Sequence, residues 1–411
     1  MTKRIIDLFA GCGGMSLGFQ GAGFEVAAAF EYWEVAAVCY AANFGHPVYR
    51  EDLSDTEKAI GIIAPLRPDI IIGGPPCQDF SHAGKRVEDS RAALTEKFAE
   101  IVAAVGARWF VMENVDRAQG SGAYRAARAV FKEAGYGLTE VVQNASLCGV
   151  PQHRKRFFCI GALGAEDGFL EAYIQCQLSE RETMLRDYFG SSLGFEHYYR
   201  HPRNYSRRAV YSIDEPSPTI QGVNRPVPQG YPGHPNDARA LDASIRPMTT
   251  LERALIQTFP PDFRWTGNKT GIEQMIGNAV PVKLAEFVAR ALAHHIETEV
   301  TGGQPPLDFG RFHEWLRGTQ TMSERTLRDT LSRLKRADSI SAVPFRPGPA
   351  YVFGLEQTAE YQTLPTTVRS QIKRSVALYS DYCATETSSA PSAKGGKRPA
   401  SFVLPQPLFS P

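Results

Sequence analysis

The chain has 411 residues, more than one ordinary domain needs and enough for two or three. With 43% apolar and 22% charged residues it can bury a sizeable core, which excludes a disordered or fibrous chain. Lys and Arg number 45 against 44 Asp and Glu, a formal charge of +1, so a polyanionic partner must be met by basic residues gathered on one face. Seven cysteines (Cys12, Cys39, Cys77, Cys148, Cys159, Cys176 and Cys383) form no CxxC pair, which argues against a disulfide framework or a zinc ribbon and predicts no metal. The opening MTKRIIDLFAGCGG holds no apolar run of signal-peptide length and nothing downstream approaches a membrane span. A soluble, intracellular protein with no membrane partner is expected.

From the N-terminus, short β-rich runs alternate with helical patterns, as in parallel βαβ units. Strands are predicted at Arg4–Phe9, Phe24–Glu31, Ile70–Gly73, Trp109–Glu113 and Phe157–Gly161, and helices at Met15–Ala22, Val35–Asn43, Leu94–Val105 and Ala123–Ala134. The fold class is therefore α/β over residues 1–163, a doubly wound, mostly parallel sheet whose ligands sit beyond the C-terminal ends of its strands. Residues 164–245 are irregular, with clustered Pro, Gly, Tyr and Arg; helix returns within 246–300, at Thr249–Phe259 and Val282–His294, before a GGQPP linker at 302–306. A helical module is expected over 307–384, with apolar faces at Phe309, Phe312, Trp315 and Leu316, at Leu327, Leu331 and Leu334, and at Val368, Ile372, Val376 and Tyr379. Residues 385–411 read as a low-complexity, mobile tail.

The first strand runs into Asp7-Leu-Phe-Ala-Gly11-Cys-Gly13-Gly14, which opens a helix. Glycines there let backbone N–H groups and the helix N-terminus approach a carboxylate or phosphate. Glu31 ends the second strand, where a carboxylate can take two ribose hydroxyls. Ser16 stands where the third glycine of GxGxxG would fall, so the turn alone does not separate NAD from S-adenosylmethionine or from a simple tight turn. Asp52 suits an adenine amino group, and equally a solvated acid or helix cap.

A reaction is suggested by Gly73-Gly-Pro-Pro-Cys77-Gln-Asp-Phe-Ser81, which places a cysteine at the C-terminal end of a strand. A half-buried structural cysteine is the alternative. Glu113-Asn-Val closes the next strand on the same rim, and Gln152-His-Arg154-Lys-Arg156 brings guanidinium groups toward that edge. Taken one by one, Glu113 also suits a helix-cap neighbour, and the arginines a solvated charge run. DLFAGCGG, PPCQDFS, ENV, QHRKR and GNAVP occur in the order and spacing of the DNA (cytosine-5) methyltransferases. Asp89-Ser-Arg91 and Arg246-Pro-Met-Thr-Thr-Leu-Glu252-Arg253 support the match, and residues 4–296 resemble that family, of bacterial restriction–modification or orphan type.

The resemblance implies methyl transfer from S-adenosylmethionine to C5 of cytosine in a specific double-stranded DNA sequence, on a base flipped out of the stack. Carbon 5 is a poor nucleophile until a thiolate adds to C6. Cys77 takes that role, Glu113 acts at N3, Arg154 at O2, and Arg156 holds the carboxyl and the loop. For the cofactor, Phe9, Gly11 and Gly13 lie along methionine and ribose, Glu31 on the hydroxyls, Tyr32 on the adenine face and Asp52 at its amino group. Leu53, Pro76, Asn278 and Val280 complete that pocket. Residues 1–163 become the catalytic domain, 164–245 the target-recognition domain, and 246–300 the segment that returns to complete the first.

For DNA, Ser81–Ala93 resembles the mobile active-site loop, with Ser81, Lys85, Arg86 and Arg91 on the phosphates. Residues 197–211 hold four Arg, four Tyr, two His and no acid, a patch suited to DNA or to a protein interface, and Arg203, Arg207, Arg208 and Thr219 are the contacts expected from this region. Between Arg311 and Arg346 eight Lys/Arg face four Asp/Glu, and Ser323 is placed to cap the helix of Leu327. That module reads either as a non-specific DNA grip or as a packing or dimerisation appendage. The partners implied are double-stranded DNA and a cognate restriction endonuclease, with the protein a monomer on DNA in the bacterial cytoplasm at the nucleoid. An RNA methyltransferase on the same scaffold, a catalytically silent homologue and a nicotinamide oxidoreductase are the competing readings. The Cys-Phe-Thr tripeptide of the transfer-RNA branch is absent, and Cys77, Glu113 and Arg154 are all present.

Overall fold

Strands covered on both faces read as unbroken apolar runs rather than alternations, and two such runs form the middle of the sheet. In the computed structural model, which describes residues 3–76, 85–202, 206–300, 309–319, 322–340 and 349–389, β1 (Arg4–Leu8) is RIIDL. It is followed by β2 (Glu25–Phe30), β3 (Val48–Tyr49), β4 (Ile70–Gly73, all four residues buried) and β5 (Trp109–Val115). Next come β6 (Tyr136–Asn144), a two-residue β7 (Gln152–His153) and β8 (Lys155–Leu163). The sheet order is β3-β2-β1-β4-β5-β8-β6. β1 to β5 pair in parallel, with the switch of winding direction between β1 and β4.

β8 lies antiparallel between β5 and β6, so the last predicted strand does not continue the parallel series. β6 is absent from the predicted strands. Gly137, Thr139, Glu140 and Gln143 break its apolar run, although Thr139 and Gln143 are themselves buried.

The helices between these strands are α1 (Gly14–Gly21), α2 (Glu34–Ala41), α3 (Thr56–Ile63), α4 (Lys85–Val105) and α5 (Gly122–Glu133). α4 begins nine residues before the predicted helix, so residues 85–93, expected in a mobile loop, are helical. Lys, Arg, Glu and Ala, all strong helix formers, fill much of that stretch. Phe98, Phe110, Phe131 and Tyr136 form the aromatic centre of the core on one sheet face, with the Phe110 and Phe131 rings stacked at 4.0 Å.

The chain divides into two units, Met1–Glu171 with Leu178–Ala293, and Ala172–Gln177 with His294–Pro411. α6 (Glu171–Gln177) precedes α7 (Leu185–Phe189) and three short strands, β9 (His197–Tyr199), β10 (Val210–Ser212) and β11 (Ser217–Pro218). β9 and β10 form an antiparallel pair, while β11 pairs in parallel with β7. Then follow α8 (Thr250–Ile256), α9 (Lys269–Asn278) and α10 (Val282–Val300). α8 opens with a capping box made by Thr249 and Glu252. The second unit holds α11 (Phe309–Thr319), α12 (Glu324–Ile340), α13 (Pro349–Gln357), α14 (Ala359–Gln362) and α15 (Thr366–Ser389). The three apolar faces expected there meet in one core around Phe312, Leu334, Ile372 and Val376. Ser323 Oγ accepts from the Thr326 N–H at 3.2 Å, as a cap of α12. α15 runs through the first five residues of the expected tail, and residues 390–411 lie outside the described residues. Among the described residues no helix is long and apolar enough to cross a membrane.

The sheet is closed over at its site end by a contact that only glycine permits. A Cβ on Gly14 would lie 2.3 Å from the carbonyl oxygen of Val280, so α1 and the segment entering α10 touch backbone to backbone. Gly14→Ala is expected to cost about 1–3 kcal/mol of folding stability, read by urea denaturation. An unchanged midpoint would contradict this close approach.

Candidate active site

The C-terminal ends of β1, β2, β4 and β5 open into one cleft. After β1 the backbone turns through left-handed conformations at Phe9 (φ 57°), Gly11 (φ 56°) and Gly13 (φ 97°) before α1 begins. The Gly11 N–H donates to Glu31 Oε2 at 2.7 Å, and the Trp33 N–H donates to Glu31 Oε1 at 2.7 Å. Burial raises the pKa of this carboxyl, opposed by those two backbone donors. It is thereby fixed at the end of β2 with further lone pairs for a ligand.

Phe9, Gly11, Glu31, Tyr32, Asp52, Leu53, Pro76, Asn278 and Val280 all line the cleft, so nine of the ten expected cofactor residues meet there. Tyr32 is 69% exposed, Asp52 and Asn278 are exposed, and Leu53 and Val280 are buried. Gly13 is the exception. It lies behind the turn, where an added Cβ would be 2.4 Å from the Phe44 ring, so it is needed for packing and for its positive φ.

Asp7, at the end of β1, also borders the cleft. Its Oδ2 accepts from Ser16 Oγ at 2.6 Å; Ser16 Oγ is 2.6 Å from Tyr40 Oη, which is 2.7 Å from His46 Nε2. Burial pushes the Asp7 carboxyl up to about 7, and its Oδ1 is buried without a hydrogen-bond partner. An acidic oxygen left unpaired beside a glycine turn suits the cationic part of a ligand. The motif displayed this residue, but nothing in its spacing signalled the burial that sets its chemistry.

Opposite the turn stands Glu113, 8% exposed. Its Oε1 is 2.8 Å from Arg156 Nε, and both residues line the cleft. Burial raises the Glu113 pKa, with Arg156 and then Arg154 pulling the other way. Asn114 donates to the Pro75 carbonyl at 3.0 Å, tying the end of β5 to the Pro-Pro turn that leads into Cys77.

Arg154 is placed elsewhere than expected. It is 1% exposed, does not line the cleft, and donates to the carbonyls of Ile220 (2.9 Å), Gly277 (2.8 Å) and Ala279 (2.9 Å). These bonds spend its guanidinium on backbone, and Arg156 is the arginine that faces the site. Beside it Gln152 donates to Gln257 Oε1 at 2.8 Å and accepts from the Ile220 N–H at 2.9 Å. Gln257 in turn donates to the Ala279 carbonyl at 3.1 Å. No local signal pointed to Gln257, since its partner is 105 residues away.

Of the expected DNA contacts, Arg207 is exposed. Arg208 is instead committed inward, bonded to Glu215 at 3.0 Å and set over the Tyr211 ring at 4.2 Å. The Thr219 hydroxyl donates to the His153 carbonyl at 2.6 Å. Both side chains are thus tied to neighbouring residues of the protein. Cys77, Ser81 and Arg203 lie outside the described residues, as do the side chains of Lys85, Arg86 and Arg91.

A doubly wound sheet with a fixed acid on β2, a glycine turn and a buried acid–guanidinium pair has the ground plan of a nucleoside-dependent group-transfer enzyme. Residues 3–294 match the family described as C-5 cytosine-specific DNA methylase, and the chain belongs to that family. It is 53% identical over 291 residues to the Type II methyltransferase M.HindV of Haemophilus influenzae, covering 70% of this chain and 96% of that protein. It is 52% identical over 294 residues to the Type II methyltransferase M.HgiDI of Herpetosiphon aurantiacus, covering 71% and 95%. A crystal structure of the S. pombe Dnmt2 methyltransferase, at 17% identity and a TM-score of 0.54, covers 72% of this chain and 99% of that one and shares the fold. The protein is thus a DNA (cytosine-5) methyltransferase, and the RNA-directed and silent readings are not favoured.

Replacing Arg154 takes its guanidinium from the carbonyls of Ile220 and Gly277 and leaves that of Ala279 with the Gln257 amide alone. Arg154→Gln is expected to lose about 3–5 kcal/mol of stability in urea denaturation of the ligand-free protein. A loss below 1 kcal/mol would show that the three bonds do not hold the segments together.

Proposed function

We propose that the cleft holds S-adenosylmethionine against a flipped cytosine, with Cys77 as nucleophile, Glu113 as the acid at N3 and Arg156 as the cation at O2. The observation that carries this reading is the Glu113–Arg156 pair, 2.8 Å apart in the cleft that the glycine turn also lines. The cofactor is read onto Phe9, Gly11, Glu31, Tyr32, Asp52, Leu53, Pro76, Asn278 and Val280, with the unpaired Asp7 oxygen favouring a positively charged ligand. When bound it supplies an electrophilic methyl group.

The Cys77 thiolate adds to C6, which breaks the C5=C6 π bond and drives electron density toward N3 and O2. A protonated Glu113 donates at N3, and the Arg156 guanidinium carries the charge that grows on O2. Burial of Glu113 raises its pKa, which favours the protonated form that donates at N3. C5 of the resulting enamine takes the methyl group as its bond to the donor sulfur breaks, the electron pair staying on that sulfur. A base then removes the C5 proton, the double bond re-forms and the Cys77 sulfur leaves. Residues 164–245 read the DNA sequence, with the exposed Arg207 on a phosphate. The Type II names of M.HindV and M.HgiDI support a place in a restriction–modification pair, with a cognate endonuclease as partner.

Cys77→Ala is expected to abolish methylation while leaving cofactor binding, measured by calorimetry, nearly intact. The wild type is expected to trap covalently on DNA carrying 5-fluorocytosine, because fluorine blocks the final elimination. Unchanged turnover in the variant would sink the assignment.

Glu113→Gln keeps the shape of the side chain and removes its proton, so kcat should fall by about 10²–10⁴-fold. In the wild type, activity should fall as pH rises through the elevated Glu113 pKa, and that alkaline limb should vanish in the variant. An identical pH profile in both would assign the acid elsewhere.

A further inference from the structure

The family match ends at residue 294, and the module beyond it carries a surface that methyl transfer does not explain. Helix α12 buries Leu327, Thr330, Leu334, Ala337 and Ile340 on one side. Its other side presents Arg325, Arg328, Ser332, Lys335, Arg336 and Ser339, all exposed. At 3.6 residues per turn these six fall within about 100° of the helix circumference. A solvated helix face ordinarily mixes signs and pairs them at i,i+4. This face has one sign only, and serines fill its remaining positions.

The nearby acids do not neutralise it. Glu324 is paired with Arg317 at 2.6 Å and Asp329 with Arg333 at 3.9 Å, while Asp338 sits to the flank. Among the described residues no carboxylate pairs with Arg325, Arg328 or Arg336. The Lys335 ammonium lies 5.0 Å from the centre of the Phe309 ring, which orders its stem and leaves its charge outward.

We propose that this face of α12 is a phosphate-binding ridge that grips duplex DNA without regard to sequence; the choice of DNA as the polyanion rests on the assignment of the chain as a DNA methyltransferase. From Arg325 to Arg336 the helix rises about 16 Å, a distance over which one strand of duplex presents about five phosphates. Guanidinium forks match phosphate oxygens in pairs, and serine hydroxyls add short donors between them. The ridge carries no Asn or Gln to read base edges, so its contacts are blind to sequence. It carries no aromatic anchor either, the feature that a protein partner would need. The ridge adds residence on long DNA and contributes nothing to the chemical step.

The test compares the full-length protein with the Arg325→Gln/Arg328→Gln/Arg336→Gln variant, each titrated with a long mixed-sequence duplex over a range of salt. The variant should bind at least about tenfold more weakly at low salt, and its slope of log K against log salt should flatten by about 2.7, or 0.9 for each lost phosphate contact. Its single-turnover methylation of saturating phage DNA should equal that of the wild type. The corresponding triple Lys variant, which restores the charge, should recover most of the slope, and equal thermal melting of all three proteins excludes misfolding as the cause. An unchanged slope in the Gln variant overturns the ridge, as does unchanged DNA binding accompanied by altered self-association in sedimentation. Absence of methylation by the wild type would instead count against the catalytic assignment and leave the slope comparison readable.

Discussion

The guanidinium of Arg154 sits out of reach of water, and its position is tolerable only because backbone carbonyls take its N–H groups. Those carbonyls belong to Ile220, Gly277 and Ala279, segments that arrive long after the sheet has been laid down in the chain. Burial lowers the pKa of this arginine, and the neighbouring Glu113 acts against that shift. One side chain thus fastens the segment after β11 and the turn between α9 and α10 to the junction of β7 and β8. Gln152 and Gln257 extend the same arrangement in neutral form. Without it the Gly277–Pro281 run has no reason to lie against the glycine turn, and the cleft loses one wall.

The two arginines of one short motif therefore stand in different surroundings. Arg156 faces the cleft and pairs with Glu113, whose burial keeps a carboxyl protonated further up the pH scale than water would allow. Arg154 gives both terminal nitrogens of its guanidinium to backbone carbonyls. A guanidinium fixed against an acid it only partly neutralises is a pre-set environment for charge that appears during a reaction.

That division marks the limit of what the sequence carried. Strands with dense apolar runs, such as Ile70–Gly73, and motifs placed at strand ends, such as Glu113-Asn-Val, were legible because their signals are local. β6 was not, since Gly137 and its buried polar residues hide a strand that packing defines. α9 escaped for a similar reason, as Gly271 and Gly277 weaken its helical pattern. Residues 154 and 156 have the same parity, so strand alternation would send both to one face; the break between β7 and β8 separates them instead. Gln257, Asp7 and the inward turn of Arg208 likewise depend on partners brought together by the fold. Identity of residues was readable, and their burial and partners were not.

The contact between Gly14 and Val280 has a consequence in time as well as in space. A ribosome delivers the glycine turn first and the strand that closes the sheet next, yet Val280 emerges only after the whole irregular stretch has been made. The early product has the strands of the sheet and a cleft lacking one side. The cleft is thereby completed only when residues as late as Val280 have been made, and a shorter fragment of this enzyme lacks that wall.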